Sequence, residues 1–167
     1  WRVRIGLNLV GAAYKDVQVQ IRREDGEQHS EAHRQRNPLG QVPVLEWRDG
    51  PHVRRVSQSL AILELLNEIH PERPLLPADP YLRARARQLS EVVNAGIQPL
   101  QNTATLKGID DLGGDSQLWA REAVDRGLLA LARMAEDTAG QFLVGDTPTL
   151  ADICLVPQLA NARRFGC

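Results

Sequence analysis

Gln41-Val-Pro-Val-Leu-Glu-Trp-Arg-Asp-Gly-Pro-His-Val-Arg-Arg-Val-Ser-Gln-Ser-Leu60 decides the fold. Two short β-prone runs, residues 41–45 and 53–56, bracket Asp49-Gly50, a dipeptide that tight hairpin turns favour. Pro43 has no backbone N–H to give a ladder, so it belongs at the entry or the edge of the first strand. The period then changes. Residues 57–69 carry Leu60, Leu63, Leu65 and Leu66 at helical spacing behind a Ser/Gln/Ser head, and His70-Pro71 ends the helix. A hairpin running straight into a helix is the signature of an α/β unit.

Working outward, residues 1–10 place Val3, Leu7 and Val10, with Ile5 and Leu9 beside them, on a helical stripe that Gly11 terminates. Val17, Val19 and Ile21 alternate with polar neighbours, which predicts a strand over 17–21. The polar stretch 22–36 reads as loop with a short helix. On the other side, Pro74-Leu-Leu-Pro-Ala-Asp-Pro80 packs three prolines into seven residues and marks a linker over 74–80. Beyond it the pattern is helical over roughly 81–107, 117–138 and 149–164. The chain thus divides into an α/β domain over 1–73 and an all-α domain over 81–167.

Composition excludes several classes. The 167 residues are 43% hydrophobic and 25% charged, which a disordered or fibrous chain would not be. Twenty Lys plus Arg oppose 21 Asp plus Glu for a net charge of -1, so no whole-molecule field draws the chain to nucleic acid or to an anionic membrane. No apolar run approaches the roughly 20 residues of a membrane span and no signal segment opens the chain, so a cytoplasmic protein is expected. Cys154 and Cys167 give neither a disulfide scaffold nor a zinc spacing, and His29, His33, His52 and His70 lack ligand spacing and read as solvated. No metal site is expected. Trp1 opens the chain inside an amphipathic pattern, and Arg-Arg-Phe-Gly runs to its end without a stop signal, so both ends read as cut.

Four constellations can carry chemistry. Gln58-Ser59 at a helix start reads either as a plain N-cap or as a carboxylate site built on unpaired amide donors. Val42-Pro43 at a strand mouth is either an ordinary trans edge proline or a cis bond that turns the main chain of Val42 toward a peptide-like ligand. Gln98-Pro-Leu-Gln-Asn102 sets amides in an apolar helix that Pro99 should kink. Arg163-Arg164 could clamp a carboxylate or lie in solvent. Two further features read as structural: Thr149-Leu-Ala-Asp152 is a capping box, and Cys154 sits in an apolar run.

The order of these features carries a resemblance. Trp1-Arg-Val-Arg-Ile, Asn37-Pro-Leu-Gly-Gln-Val-Pro-Val-Leu45, Gln58-Ser-Leu-Ala-Ile62, Pro74-Leu-Leu-Pro77, Gly96-Ile-Gln-Pro-Leu-Gln-Asn102, Val144-Gly-Asp146 and Thr149-Leu-Ala-Asp-Ile-Cys-Leu-Val-Pro-Gln158 resemble the zeta class of glutathione transferases, the maleylacetoacetate isomerases. The resemblance spans essentially the whole chain. It implies a thioredoxin-like glutathione domain, a helical domain that shapes the second-substrate site, and a homodimer. It also implies roles for individual residues. Val42 would contact the cysteinyl part of glutathione through its main chain, Pro43 would carry the cis bond, Gln58 and Ser59 would hold the γ-glutamyl group, Gln41 and Gln98 would add contacts, and Arg164 would hold a substrate carboxylate.

The implied activity is glutathione-dependent isomerisation of maleylacetoacetate to fumarylacetoacetate in phenylalanine and tyrosine breakdown. Maleylpyruvate isomerisation, general glutathione conjugation and a non-catalytic binding module are the alternatives. In the family the catalytic serine precedes the Trp-Arg-Val-Arg stretch, so no catalytic residue is assigned within 1–167 and the 167 residues alone are expected to be unstable and inactive. With the family's first strand absent, residues 17–21 and 41–45 are expected to lie roughly 9–10 Å apart, about twice the ordinary strand spacing, without pairing.

Overall fold

A computed structural model describes residues 1–21 and 26–167, arranged as two compact units, Trp1–Leu75 and Leu76–Cys167. The first unit holds α1 (Arg2–Val10), a 3-10 turn (Glu27–His29), α2 (Glu31–Arg34), β1 (Val44–Asp49), β2 (His52–Ser57) and α3 (Ser59–Ile69). β1 and β2 pair antiparallel from Val44 opposite Ser57 to Asp49 opposite His52. The turn centres on Gly50-Pro51, one residue beyond the Asp-Gly reading, and Gly50 takes φ +58° as the first central residue of a two-residue loop requires. β1 begins at Val44, so Gln41, Val42 and Pro43 stand outside the ladder.

The strand expected over 17–21 is a correction. Val17 and Ile21 are exposed and the segment belongs to no sheet. Among the described residues its backbone bonds join Gln20 to Glu27, N–H to carboxylate at 2.9 Å and carbonyl to N–H at 2.9 Å. Alternation supplies a face, but only a ladder partner makes a strand. These residues make no backbone hydrogen bond to 41–45 among those described. The expected short helix in the polar stretch is α2, while 22–25 lie outside the described residues.

α1 ends as expected, with Gly11 left-handed at φ +72° and its N–H on the last turn's carbonyls. Its buried face keeps Leu7 and Val10 of the expected stripe and is turned toward Arg2 and Gly6. Arg2, Gly6, Leu7 and Val10 are buried, Val3 and Ile5 are half-buried, and Leu9 is exposed. Gly6 decides this, because a Cβ there would lie 2.3 Å from Leu63 Cδ2 of α3, so the two helices meet closely at that point. Ile62, Leu63, Leu66 and Leu75 complete the core of the unit.

The second unit holds α4 (Pro80–Glu91), a π-helical segment (Val92–Ile97), a 3-10 turn (Gln98–Gln101), α5 (Thr103–Asp111), α6 (Ser116–Ala135) and α7 (Leu150–Arg164). The helix expected over 81–107 with a kink at Pro99 is broken instead. A wide turn precedes Pro99, a tight one contains it, and Asn102 is extended at ψ 145° before α5 begins. A proline removes one hydrogen bond, and here the chain takes a new direction rather than bending. Asp79 and Asp115 cap α4 and α6. The Thr149/Asp152 capping box is present, and the Asp152 carboxylate also accepts from the Leu143 N–H at 2.9 Å, which ties the preceding loop to α7. Cys154 is buried as expected. Among the described residues no helix is long and apolar enough to cross a membrane.

Candidate functional site

The start of α3 is unusual for a helix headed by Ser/Gln/Ser. Gln58 is the N-cap, but at φ +73° and ψ 118° it occupies backbone space that side-chain-bearing residues avoid, and its side chain caps nothing. Ser59 is the first helical residue rather than the cap. Its hydroxyl accepts from Arg2 Nη1 at 3.3 Å. The plain N-cap reading therefore fails: neither polar side chain serves the helix, and the first-turn N–H donors lie beside a hydroxyl and an amide without a side-chain cap. Such an array suits a carboxylate.

Arg2 is a residue that sequence reasoning missed. It is buried on α1 between the apolar positions, and its guanidinium reaches the head of α3. An arginine in register with Gly6 and Val10 on the packed face is the signal that could have found it, since a buried guanidinium must have a partner.

Ahead of β1, the Val42-Pro43 peptide bond is cis, which excludes the ordinary trans edge proline. Val42 is exposed and lies outside the ladder, and among the described residues its N–H and carbonyl make no backbone hydrogen bond. Gln41 is held from behind: its carbonyl accepts from His33 Nε2 at 3.0 Å and from Asn37 Nδ2 at 2.8 Å. A carbonyl only accepts, so Nε2 is the protonated nitrogen of His33. With their exposure at 6% and 3%, His33 and Asn37 are buried, which corrects the expectation that His33 is solvated. What drew it inward is a polar backbone group that needed a donor. The exposed Gln41 side chain is left to face solvent.

Within the second unit, Gln98 is half-buried at the head of the 3-10 turn. Arg164 is exposed as the last residue of α7, with its guanidinium carbon 5.5 Å from the Phe165 ring centroid. Gln101 and Gln158, whose pairing the sequence does not announce, are buried against one another. Among the described residues no group of three or more His, Cys, Asp or Glu side chains is placed to hold a metal ion.

Residues 1–69 match the family of glutathione S-transferase N-terminal domains. The chain is 45% identical over 166 residues to the maleylacetoacetate isomerase of Rattus norvegicus, spanning 99% of this chain and 74% of that protein. The maleylacetoacetate isomerase of Anaeromyxobacter dehalogenans, solved with GSH bound in its active site, superposes with a TM-score of 0.89 at 50% identity, over 100% of this chain and 77% of that one. The same enzyme has been solved with dicarboxyethyl glutathione and citrate in its active site. A maleylpyruvate isomerase, described as a bacterial glutathione S-transferase of the zeta class, superposes with a TM-score of 0.89 at 36% identity, over 99% of this chain and 78% of that one.

Proposed function

The chain belongs to the maleylacetoacetate isomerase family of zeta-class glutathione transferases, and from that membership we propose that it isomerises maleylacetoacetate to fumarylacetoacetate with glutathione as cofactor. The observation that carries this reading is the start of α3, where Gln58 accepts an unfavourable backbone geometry and Ser59 is gripped by Arg2 although neither side chain caps the helix. Strain held without structural return is characteristic of binding sites.

The residues present fit glutathione. Gln58 and Ser59, with the first-turn amides of α3, would hold the γ-glutamyl carboxylate, and charge-assisted hydrogen bonds of this kind are the strong ones. The main chain of Val42 would meet the cysteinyl part, and Gln41 and Gln98 would add side-chain contacts. Bound glutathione supplies a thiolate whose reversible addition to the conjugated double bond permits rotation. The protein's tasks are to favour that thiolate, to orient the diketo acid and to return both unchanged. The positive end of α1, with Arg2 and Arg4 in its first turn and no acidic residue there, favours an anion. Arg164 would hold the carboxylate of the diketo acid and so orient it.

In this reading residues 1–73 form the glutathione domain, 74–80 the linker and 81–167 the helical domain, in a cytoplasmic homodimer serving phenylalanine and tyrosine breakdown. Maleylpyruvate is the second substrate to test, because a maleylpyruvate isomerase shares 36% identity over 99% of the chain. The full-length protein should convert maleylacetoacetate only when glutathione is added. Glutathione binding without turnover of either diketo acid would overturn the enzyme reading in favour of a binding module.

A further inference from the structure

The break in the helical run before α5 is held from several directions within the second unit. Gly127 of α6 lets Ile97 in, since a Cβ there would lie 2.3 Å from Ile97 Cγ1. Thr105 Oγ1 donates to the Pro99 carbonyl at 2.7 Å, and Trp119 Nε1 donates to the Leu100 carbonyl at 3.0 Å. The last tie is of a different kind. Gln101 Nε2 donates to Gln158 Oε1 at 2.6 Å, and Gln158 Nε2 donates back to Gln101 Oε1 at 3.2 Å. The two residues are 8% and 2% exposed.

A closed amide pair is an uncommon way to fill a core. Two unbranched apolar side chains of the same length would occupy the same space without the desolvation of four polar atoms. What they would not provide is a single geometry, because apolar surfaces slide and rotate over one another whereas a reciprocal amide pair has one register. Here the register joins two named places. One is the turn that carries Gln98, and the other is α7, which carries Arg164.

We propose that the Gln101–Gln158 pair is a positioning device that sets the Gln98–Gln101 turn against α7 and thereby fixes where Gln98 presents its amide relative to Arg164. The inference rests on the reading above in which Gln98 meets glutathione and Arg164 the diketo acid. Neither member of the pair touches either ligand in this scheme.

The test is the double variant Gln101→Met/Gln158→Met in the full-length chain. Removing both partners together leaves no orphaned amide, so its melting temperature should stay close to wild type, whereas Gln158→Met alone should lower it. Glutathione affinity of the double variant, measured by calorimetry, should nevertheless fall by about 3- to 10-fold, the scale of one misplaced hydrogen bond. The KM for glutathione should rise by the same factor with a smaller change in kcat. Gln98→Ala should show a similar loss of affinity. Wild-type affinity in the double variant beside weakened Gln98→Ala overturns the positioning role and leaves Gln98 in its place. Wild-type affinity in Gln98→Ala overturns the reading of Gln98 and the pair's role with it. If the double variant does not fold, Gln101→Glu replaces it, since a protonated carboxyl donates and accepts as the amide does. Its glutathione affinity relative to wild type should then recover as pH falls, and a ratio indifferent to pH overturns the proposal.

Discussion

Of the helices that begin beside a hydroxyl residue, α3 and α7 begin in opposite ways. At α7 the Thr149 hydroxyl accepts from the Ala151 N–H, and the Asp152 carboxylate returns to the Thr149 N–H at 2.8 Å and to its hydroxyl at 3.1 Å. Each of these polar groups serves the helix start, and the same carboxylate also holds the Leu143 N–H of the preceding loop. At α3 the Ser59 hydroxyl is turned to Arg2, the Gln58 side chain caps nothing, and Gln58 sits at φ +73°. A helix start that satisfies itself is a folding device, and one that does not is available to a ligand. The difference is one of hydrogen-bond accounting, not residue type.

The comparison breaks most visibly at Asp152. Asp152→Ala removes the capping box and orphans the Leu143 N–H, so stability should fall by about 2–4 kcal/mol in chemical denaturation, the sum of a cap and one unsatisfied donor. Glutathione affinity of the folded fraction should stay at the wild-type value. A stable Asp152→Ala protein that fails to bind glutathione would erase the distinction between the two starts. Ser59→Ala should do the reverse, weakening glutathione binding by about 1–3 kcal/mol through loss of a charge-assisted bond while lowering stability by no more than about 1 kcal/mol, the scale of the single Arg2 contact it removes. Equal affinity by calorimetry would remove the site from α3.

Those two starts also show how far a sequence can be read. The capping box was legible because its bonds are local: Thr149 and Asp152 meet whenever a helix forms there. The hairpin, the helix over Ser59–Ile69 and the order of motifs were legible for the same reason, each being set by spacing within a few residues. At α3 the residue types were legible and their roles were not. Whether Ser59 caps the helix depends on Arg2, which lies 57 positions away. His33 was read as solvated because its partner, a carbonyl in the loop before β1, cannot be inferred from periodicity. The strand expected over 17–21 failed likewise, since alternation says nothing about a ladder partner. Pro99 announced a bend, but the π segment before it depends on Gly127 admitting Ile97.

Arg164 extends the contrast to the far end of α7. If α7 is structural where it starts and functional where it stops, Arg164→Met should cost about 1–2 kcal/mol in kcat/KM for the diketo acid and leave glutathione affinity and stability alone. Unchanged isomerisation would return Arg164 to the solvent-facing charges. Gln58→Gly probes the strain directly. Glycine adopts positive φ freely, so the variant should gain about 1 kcal/mol in stability while binding glutathione more weakly. A loss of stability there would mean that the geometry of Gln58 is no burden on the fold.

The smallest effect belongs to the other end of α3, and it sharpens the contrast by having nothing to do with glutathione. His70 closes the helix, and its Nδ1 stands 3.2 Å from Glu72 Oε1. The Glu72 carboxyl is held below its ordinary value first by its own backbone N–H and then by the His70 ring. A carboxylate whose folded pKa is depressed stabilises the native state above its unfolded pKa and loses that contribution as pH falls through the folded value. Glu72 is solvent-exposed, so the effect is confined to the acid limb and is small. Glu72→Gln should therefore flatten the decline in melting temperature as pH falls from about 5, where an unperturbed glutamate begins to protonate, through the lowered folded value. At neutral pH its glutathione affinity should match wild type. A weakened affinity would mean that the two ends of α3 are coupled, and that the start of the helix owes its availability to how the helix is closed rather than to Arg2 and Gln58.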